Sequence, residues 1–126
     1  MPHLSFEYSS GLEDAVDLTA FARRMRDVMD ETGVFPFAGI RVRGHKADIC
    51  VIADEGDYDF LHMFLWLGAG RDIATQKRVA EAVYSAAEAF FSDMTRPLAL
   101  SFDMGELNAD LSIKRHNKVK DVVGTK

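Results

Sequence analysis

The stretch YDFLHMFLWL, residues 58–67, constrains the fold more than any other part of the chain. As a strand it is apolar on both faces, because Phe60, Phe64 and Trp66 alternate with leucine and methionine. A strand with two apolar faces is covered on both sides in a folded protein. One layer of helices covers one face, and a chain of 126 residues has little left for the other. The pattern therefore predicts that a second subunit covers the remaining face.

Around this stretch, strand and helix patterns follow one another in the order strand, helix, strand, twice over. The predicted strands are residues 2–9, 39–52, 58–67 and 98–104. The first helix is predicted to begin at an Asp17 N-cap and to end at Gly33, and the second to begin at an Asp72 N-cap. Because a strand–helix–strand crossover makes its two strands parallel, each unit is a βαβ motif.

The predicted fold class is α+β: two βαβ units forming a four-stranded sheet with both helices on one face. The whole chain is predicted to be a single domain, made of a first unit at 1–57, a second at 58–105 and a basic C-terminal arm at 106–126.

Composition narrows the class of protein. The net charge of −5 argues against nucleic acid as a partner, and no apolar run reaches the ~18 residues of a membrane helix. No signal peptide pattern is present, and the single cysteine, Cys50, has no partner for a disulfide. The four histidines lack metal-ligand spacing. We therefore expect a cytoplasmic protein without a metal, and a buried, inert Cys50.

Pro2 is the first candidate functional residue. Proline has a fixed φ and no backbone N–H, so Pro2 is compatible with simply opening a strand. If Met1 is removed, however, Pro2 becomes a rigid secondary amine that is able to act as an acid, a base or a nucleophile. The residue alone does not decide between these two interpretations.

Three arginines are the second set of candidates. Arg41 and Arg43 are two apart on a predicted strand, so they project from one face, either into solvent or around a dicarboxylate. Arg71 follows the glycines of GAGR at the start of a helix, where an anion is favoured. Since Ile73 stands where a dinucleotide-binding loop has its third glycine, GAGR is not such a loop. An amine with nearby arginines suits proton transfer beside a carboxylate or carbonyl.

Several stretches together resemble the tautomerase superfamily, and within it the 5-carboxymethyl-2-hydroxymuconate delta-isomerases: MPH at the start, TGVFPFAGIRVRGH at 32–45, HMFLWLGAGR at 62–71 and LALSF at 98–102. The resemblance implies a tautomerase-like fold, a homotrimer whose sheets form a central barrel, and no cofactor. It also implies that Pro2 is catalytic and that Arg41, Arg71 and Arg43 bind a small carboxylate substrate.

The function expected from this resemblance is an isomerase of aromatic compound catabolism. It would move a proton in an unsaturated hydroxy or keto di- or tricarboxylic acid such as 5-carboxymethyl-2-hydroxymuconate. Two alternatives stay open from sequence: a dehalogenase or other enzyme on the same scaffold, with Glu7 or Asp103 activating water, and a non-catalytic trimeric module that binds small carboxylates.

Overall fold

The computed structural model describes residues 1–124, which fold around one mixed β-sheet. In chain order the elements are β1 (His3–Ser9), α1 (Leu12–Ala15), α2 (Leu18–Glu31), a 3₁₀ turn (Phe37–Gly39), β2 (Arg41–Ala47), β3 (Asp59–Gly68), α3 (Ile73–Phe90), β4 (Leu98–Leu107), a second 3₁₀ turn (Ala109–Leu111) and α4 (Lys118–Val123).

The sheet has the strand order β2-β1-β3-β4. β1 is parallel to β2, β3 is parallel to β4, and β1 and β3 are antiparallel where the two units meet. The four-stranded sheet and the two strand–helix–strand crossovers are as the sequence predicts. Because β1 and β3 are antiparallel neighbours, the residues just before β1 and just after β3 meet at the same end of the sheet.

The hydrophobic core lies between one face of the sheet and helices α2 and α3. In β1 and β3 every second side chain points into this core. The core residues are Leu4 and Phe6 of β1 and Leu61, Met63, Leu65 and Leu67 of β3. Phe21 of α2 packs edge-on against Phe6, with ring centroids 5.1 Å apart. Both helices begin at the predicted caps, since Asp17 accepts from the Ala20 N–H and Asp72 from the Thr75 N–H.

The other face of the sheet is open, and no helix among residues 1–124 covers it. Phe60, His62, Phe64 and Trp66 point to this side, and Trp66 is 42% exposed. The rings of Phe64 and Trp66 contact each other at a tilt of 36°, with their centroids 4.6 Å apart. Both faces of β3 are therefore apolar, as predicted. None of the helices in residues 1–124 combines the length and the apolar character that a membrane span needs.

Two predictions for the second strand are wrong. The strand ends at Ala47 rather than at residue 52, because β1, its one neighbour among residues 1–124, ends at Ser9, the residue paired with Ala47. Residues 48–58 then form a loop in which Ile49 is 93% exposed. Cys50 lies in this loop and is exposed, not buried.

The basic C-terminal arm folds back onto the body of the protein. After β4 the chain makes the second 3₁₀ turn, runs without regular structure to residue 117 and forms α4, which contacts the 3₁₀ turn at Phe37–Gly39. The last part of the predicted arm, residues 125–126, lies outside the described residues.

Candidate active site

Pro2 lies immediately before β1, at the end of the sheet where β2 begins and β3 ends. It is buried, and its carbonyl accepts a hydrogen bond from the Arg41 N–H at 3.1 Å. Its Cδ lies 3.7 Å from the position that a Cβ of Gly39 would occupy, so the glycine lets the 3₁₀ turn pack closely on the proline. The residue is thus held by its carbonyl and its ring.

Met1 extends from Pro2 into a cavity of about 580 Å³. Burial lowers the pKa of the Met1 α-amine, and the positive charges of Lys114, Arg71 and Arg41 lower that pKa further, in this order of size. The N-terminus therefore lies in a strongly positive environment.

The Arg41 guanidinium turns back toward this end of the sheet. Its Nη1 donates to the carbonyls of Ala38, at 2.8 Å, and Ile40, at 3.1 Å. Both acceptors are neutral, so the contacts orient the arginine without neutralising its charge. A guanidinium has five N–H donors, and these two contacts leave others for a ligand.

Arg71 is fixed in a similar way from the other side. It donates to the Gly68 carbonyl at 3.0 Å and to the Val34 carbonyl at 3.2 Å, and its guanidinium carbon lies 5.1 Å from the centre of the Phe35 ring. The expected anion site at the start of α3 is not available there, because the Asp72 carboxylate already caps that helix. Arg71 contributes its charge near the N-terminus instead.

Arg43 is two residues further along β2 and is exposed. Its Nη1 lies 3.1 Å from Nδ1 of His3. Burial lowers the pKa of His3, followed in size by the charges of Arg43, the N-terminus and Arg41. The structure thus brings Pro2, Arg41 and Arg71 together and places Arg43 next to them on the open face of the sheet.

Sequence reasoning missed Lys114 as part of this group. It comes from the unstructured part of the arm, and with Met1 it lines the cavity. The rest of the wall comes from the first 3₁₀ turn and from the arm: Pro36, Phe37, Ala38, Gly39, Arg115, Asn117, Lys118, Lys120, Asp121 and Gly124. The sequence indicates this role of Lys114 only through the basic composition of the arm, because the position of Lys114 depends on how the arm packs on the rest of the protein. Pro2, Arg41 and Arg71 do not line the cavity. Met1, which is bonded to Pro2, does line it.

The carboxylates required by the dehalogenase alternative are remote from the N-terminus. Glu7 lies five residues beyond Pro2, which is ~17 Å along an extended strand. Asp103 is on β4, where it lies 3.5 Å from Nε2 of His62. Neither is placed to activate a water beside Pro2 of the same chain.

Comparison with known proteins shows the same family over nearly the whole chain. Residues 2–122 match the model of the 5-carboxymethyl-2-hydroxymuconate isomerase family. The 5-carboxymethyl-2-hydroxymuconate Delta-isomerase of Escherichia coli is 35% identical over 120 residues, which cover 93% of this chain and 95% of that protein.

Solved structures agree with this relationship. A crystal structure of a 5-carboxymethyl-2-hydroxymuconate delta-isomerase superposes with a TM-score of 0.88 at 30% identity, covering 100% of this chain and 95% of that one. A 5-carboxymethyl-2-hydroxymuconate isomerase from Deinococcus radiodurans R1 superposes with a TM-score of 0.85 at 25% identity, covering 96% and 93% of the two chains. The chain is therefore a member of the 5-carboxymethyl-2-hydroxymuconate isomerase family.

Proposed function

We propose that this protein isomerises an unsaturated hydroxy or keto di- or tricarboxylic acid, such as 5-carboxymethyl-2-hydroxymuconate, by moving a proton within it. The acid–base group is the amine of Pro2, freed by removal of Met1. The example substrate is the compound after which the relatives of this protein are named.

The observation that carries the proposal is the position of the N-terminus. It lies half-buried beside a cavity, with Lys114, Arg71 and Arg41 as the positive charges that act on it. Because Met1 lines this cavity, its removal would open the cavity toward the Pro2 nitrogen. Burial and nearby cations favour the neutral form of an amine, which is the form that acts as a base.

The arginines supply the electrostatic part of the mechanism. When a proton leaves the substrate, negative charge develops on its oxygens, and fixed cations stabilise that charge without having to reorient. Arg41 and Arg71 are held by backbone carbonyls and suit this role. Arg43, next along the strand, is assigned to binding a more distant carboxylate. In a 2-hydroxymuconate the proton leaves the enol hydroxyl, which becomes the keto oxygen, and the Pro2 amine delivers a proton to a carbon of the same molecule, so no other reactant is consumed.

The proposal includes a homotrimer acting in the cytoplasm. The support for self-association is the open sheet face, where Trp66 is 42% exposed and its ring contacts that of Phe64. Large apolar surfaces of this kind are normally covered by another subunit.

The test replaces Pro2 by alanine in protein whose loss of Met1 is verified by intact mass spectrometry. We expect turnover of 5-carboxymethyl-2-hydroxymuconate, followed by its ultraviolet absorbance, to fall by roughly 10²–10⁴-fold, the usual contribution of one acid–base group. Pro97→Ala, at an exposed proline just before β4, is the matched control and keeps full activity. Full activity in Pro2→Ala would show that the proline amine is not the acid–base group.

A further inference from the structure

The arm places a lysine beside the arginines of the site. α4 packs on the first 3₁₀ turn, and the Asn117 side chain caps it by accepting from the Lys120 N–H at 3.2 Å. The segment between β4 and α4 is thereby held across the end of the sheet at which Pro2 lies. Lys114 is in this segment and lines the cavity together with Met1.

Lys114 and Arg71 converge on one point. The Lys114 Nζ lies 3.8 Å, and the Arg71 Nη1 3.7 Å, from the position that a Cβ of Gly68 would occupy. The two cationic groups are therefore no further apart than twice that distance. A bound carboxylate between them would contact both.

This group of cations has no acidic partner within residues 1–124. None of the ion pairs there includes Lys114, Arg71 or Arg41, and both arginines donate to neutral carbonyls. The nearby Glu106 carboxylate accepts from Gln76 instead. The chain as a whole carries a net charge of −5, so three unpaired cations in one place are not a general feature of its surface. Mutual repulsion among them is relieved by a ligand with several negative charges.

We propose that Lys114 binds the additional carboxylate of a tricarboxylate substrate, so that the C-terminal arm makes the site prefer three carboxylates over two. This inference rests on the proposed function, for which Arg41 and Arg71 bind the groups nearest to Pro2. Lys114 approaches from the arm and lines the cavity, where a side branch of the substrate would lie. A lysine is a compact charge on a flexible stem, which suits a carboxylate at the end of such a branch. A cavity of about 580 Å³ accommodates a small tricarboxylate.

The kinetic test compares two substrates that differ by one carboxylate: 5-carboxymethyl-2-hydroxymuconate and the same compound without its carboxymethyl group. In Lys114→Gln we expect KM for the tricarboxylate to rise about tenfold, since one charge-assisted contact is lost at an exposed site. Both substrates are assayed above the acidic limb of the pH profile, where loss of the Lys114 charge leaves the N-terminal amine neutral. Under that condition KM for the dicarboxylate and both kcat values change less than about twofold, and Lys114→Arg restores the tricarboxylate KM. Lys77→Gln, at an exposed lysine on α3, is the matched control.

Equal changes of KM for both substrates, or no change for either, would overturn the assignment of Lys114. An unaltered circular dichroism spectrum and urea unfolding curve show that Lys114→Gln is folded, as expected for a substitution at an exposed residue.

A binding measurement separates this inference from the proposed reaction. Calorimetry with propane-1,2,3-tricarboxylate and with glutarate, which lacks the middle carboxylate, requires no turnover. If the wild-type protein is inactive as an isomerase but binds the tricarboxylate about tenfold more tightly, and Lys114→Gln removes that difference, the inference stands and the proposed reaction fails. If the wild-type protein binds the two compounds equally, the inference fails whatever the activity.

Discussion

Replacing Arg96 by methionine is expected to destabilise the fold at the end of the sheet opposite Pro2. The target is Asp59, the first residue of β3, which is 1% exposed. Its Oδ1 accepts from the Ser9 hydroxyl at 2.8 Å, and its Oδ2 lies 3.3 Å from Nε of Arg96. That second contact has ion-pair distance but not hydrogen-bond alignment, and Oδ2 has no hydrogen bond within the described residues. Arg96 is therefore the charge that compensates a buried carboxylate.

The size of the effect follows from this burial. Removing one partner of a buried ion pair costs ~3–5 kcal/mol, because the other charge is left uncompensated. The Arg96 side chain is 45% exposed, however, so water screens the pair and takes over part of its role. We therefore expect Arg96→Met to lower the free energy of unfolding by ~2 kcal/mol.

The assay is urea unfolding at one fixed protein concentration, since self-association makes apparent stability depend on concentration. Arg24→Met is the matched control, because Arg24 pairs at 3.5 Å with Glu31 while both side chains are about half exposed or more. That surface pair is worth less than ~0.5 kcal/mol. Activity at 25 °C stays within about twofold in both variants, because Ser9 and Pro2 are ~23 Å apart along β1. A loss in Arg96→Met no larger than in Arg24→Met would refute the reasoning.

Two further predictions concern the site and the open face. The activity of the wild-type enzyme, as kcat/KM, falls at low pH as the Pro2 amine is protonated. Burial and the charges of Lys114, Arg71 and Arg41 lower the pKa of the Met1 α-amine, and we expect the same surroundings to lower the pKa of the Pro2 amine once Met1 is removed. Arg71→Gln removes one of these charges and so raises that pKa, which moves the acidic limb of the profile to higher pH; an unmoved limb would contradict the electrostatic role of Arg71. Trp66→Glu places a charge on the apolar open face and is expected to yield monomers in sedimentation velocity, whereas Trp66→Phe keeps the assembly; an assembled Trp66→Glu variant would show that this face is not the interface.

Local patterns predicted most of the fold, because they act within a few residues. The alternation in residues 58–67 predicted β3 and its two apolar faces, and Asp17 and Asp72 predicted where α2 and α3 begin. The length of β2 depends instead on a neighbour distant in sequence: β1 runs out at Ser9, and the apolar residues after Ala47 have no strand to pair with. Cys50 was misplaced for the same reason.

The candidate site was predicted only in part. Pro2, Arg41 and Arg71 are tied to strand ends, so the order of strands brings them together once the sheet is formed. Lys114 is in a segment without periodicity. Its place is set by the packing of α4, which begins at Lys118, on the 3₁₀ turn at Phe37–Gly39, about 80 residues earlier in the chain. No local property of the sequence encodes that contact.

The position of Pro2 explains why a reactive nitrogen is compatible with the start of a central strand. Most residues there would present an N–H that requires a hydrogen-bond partner, because β1 has a neighbour on each side. While Met1 is attached, Pro2 has no N–H, and the sheet holds it through its carbonyl, which accepts from Arg41, and through the ring packed near Gly39. Removal of Met1 breaks none of these contacts. The fold therefore holds the residue by every group except the nitrogen, and that nitrogen is the atom that the proposed reaction requires.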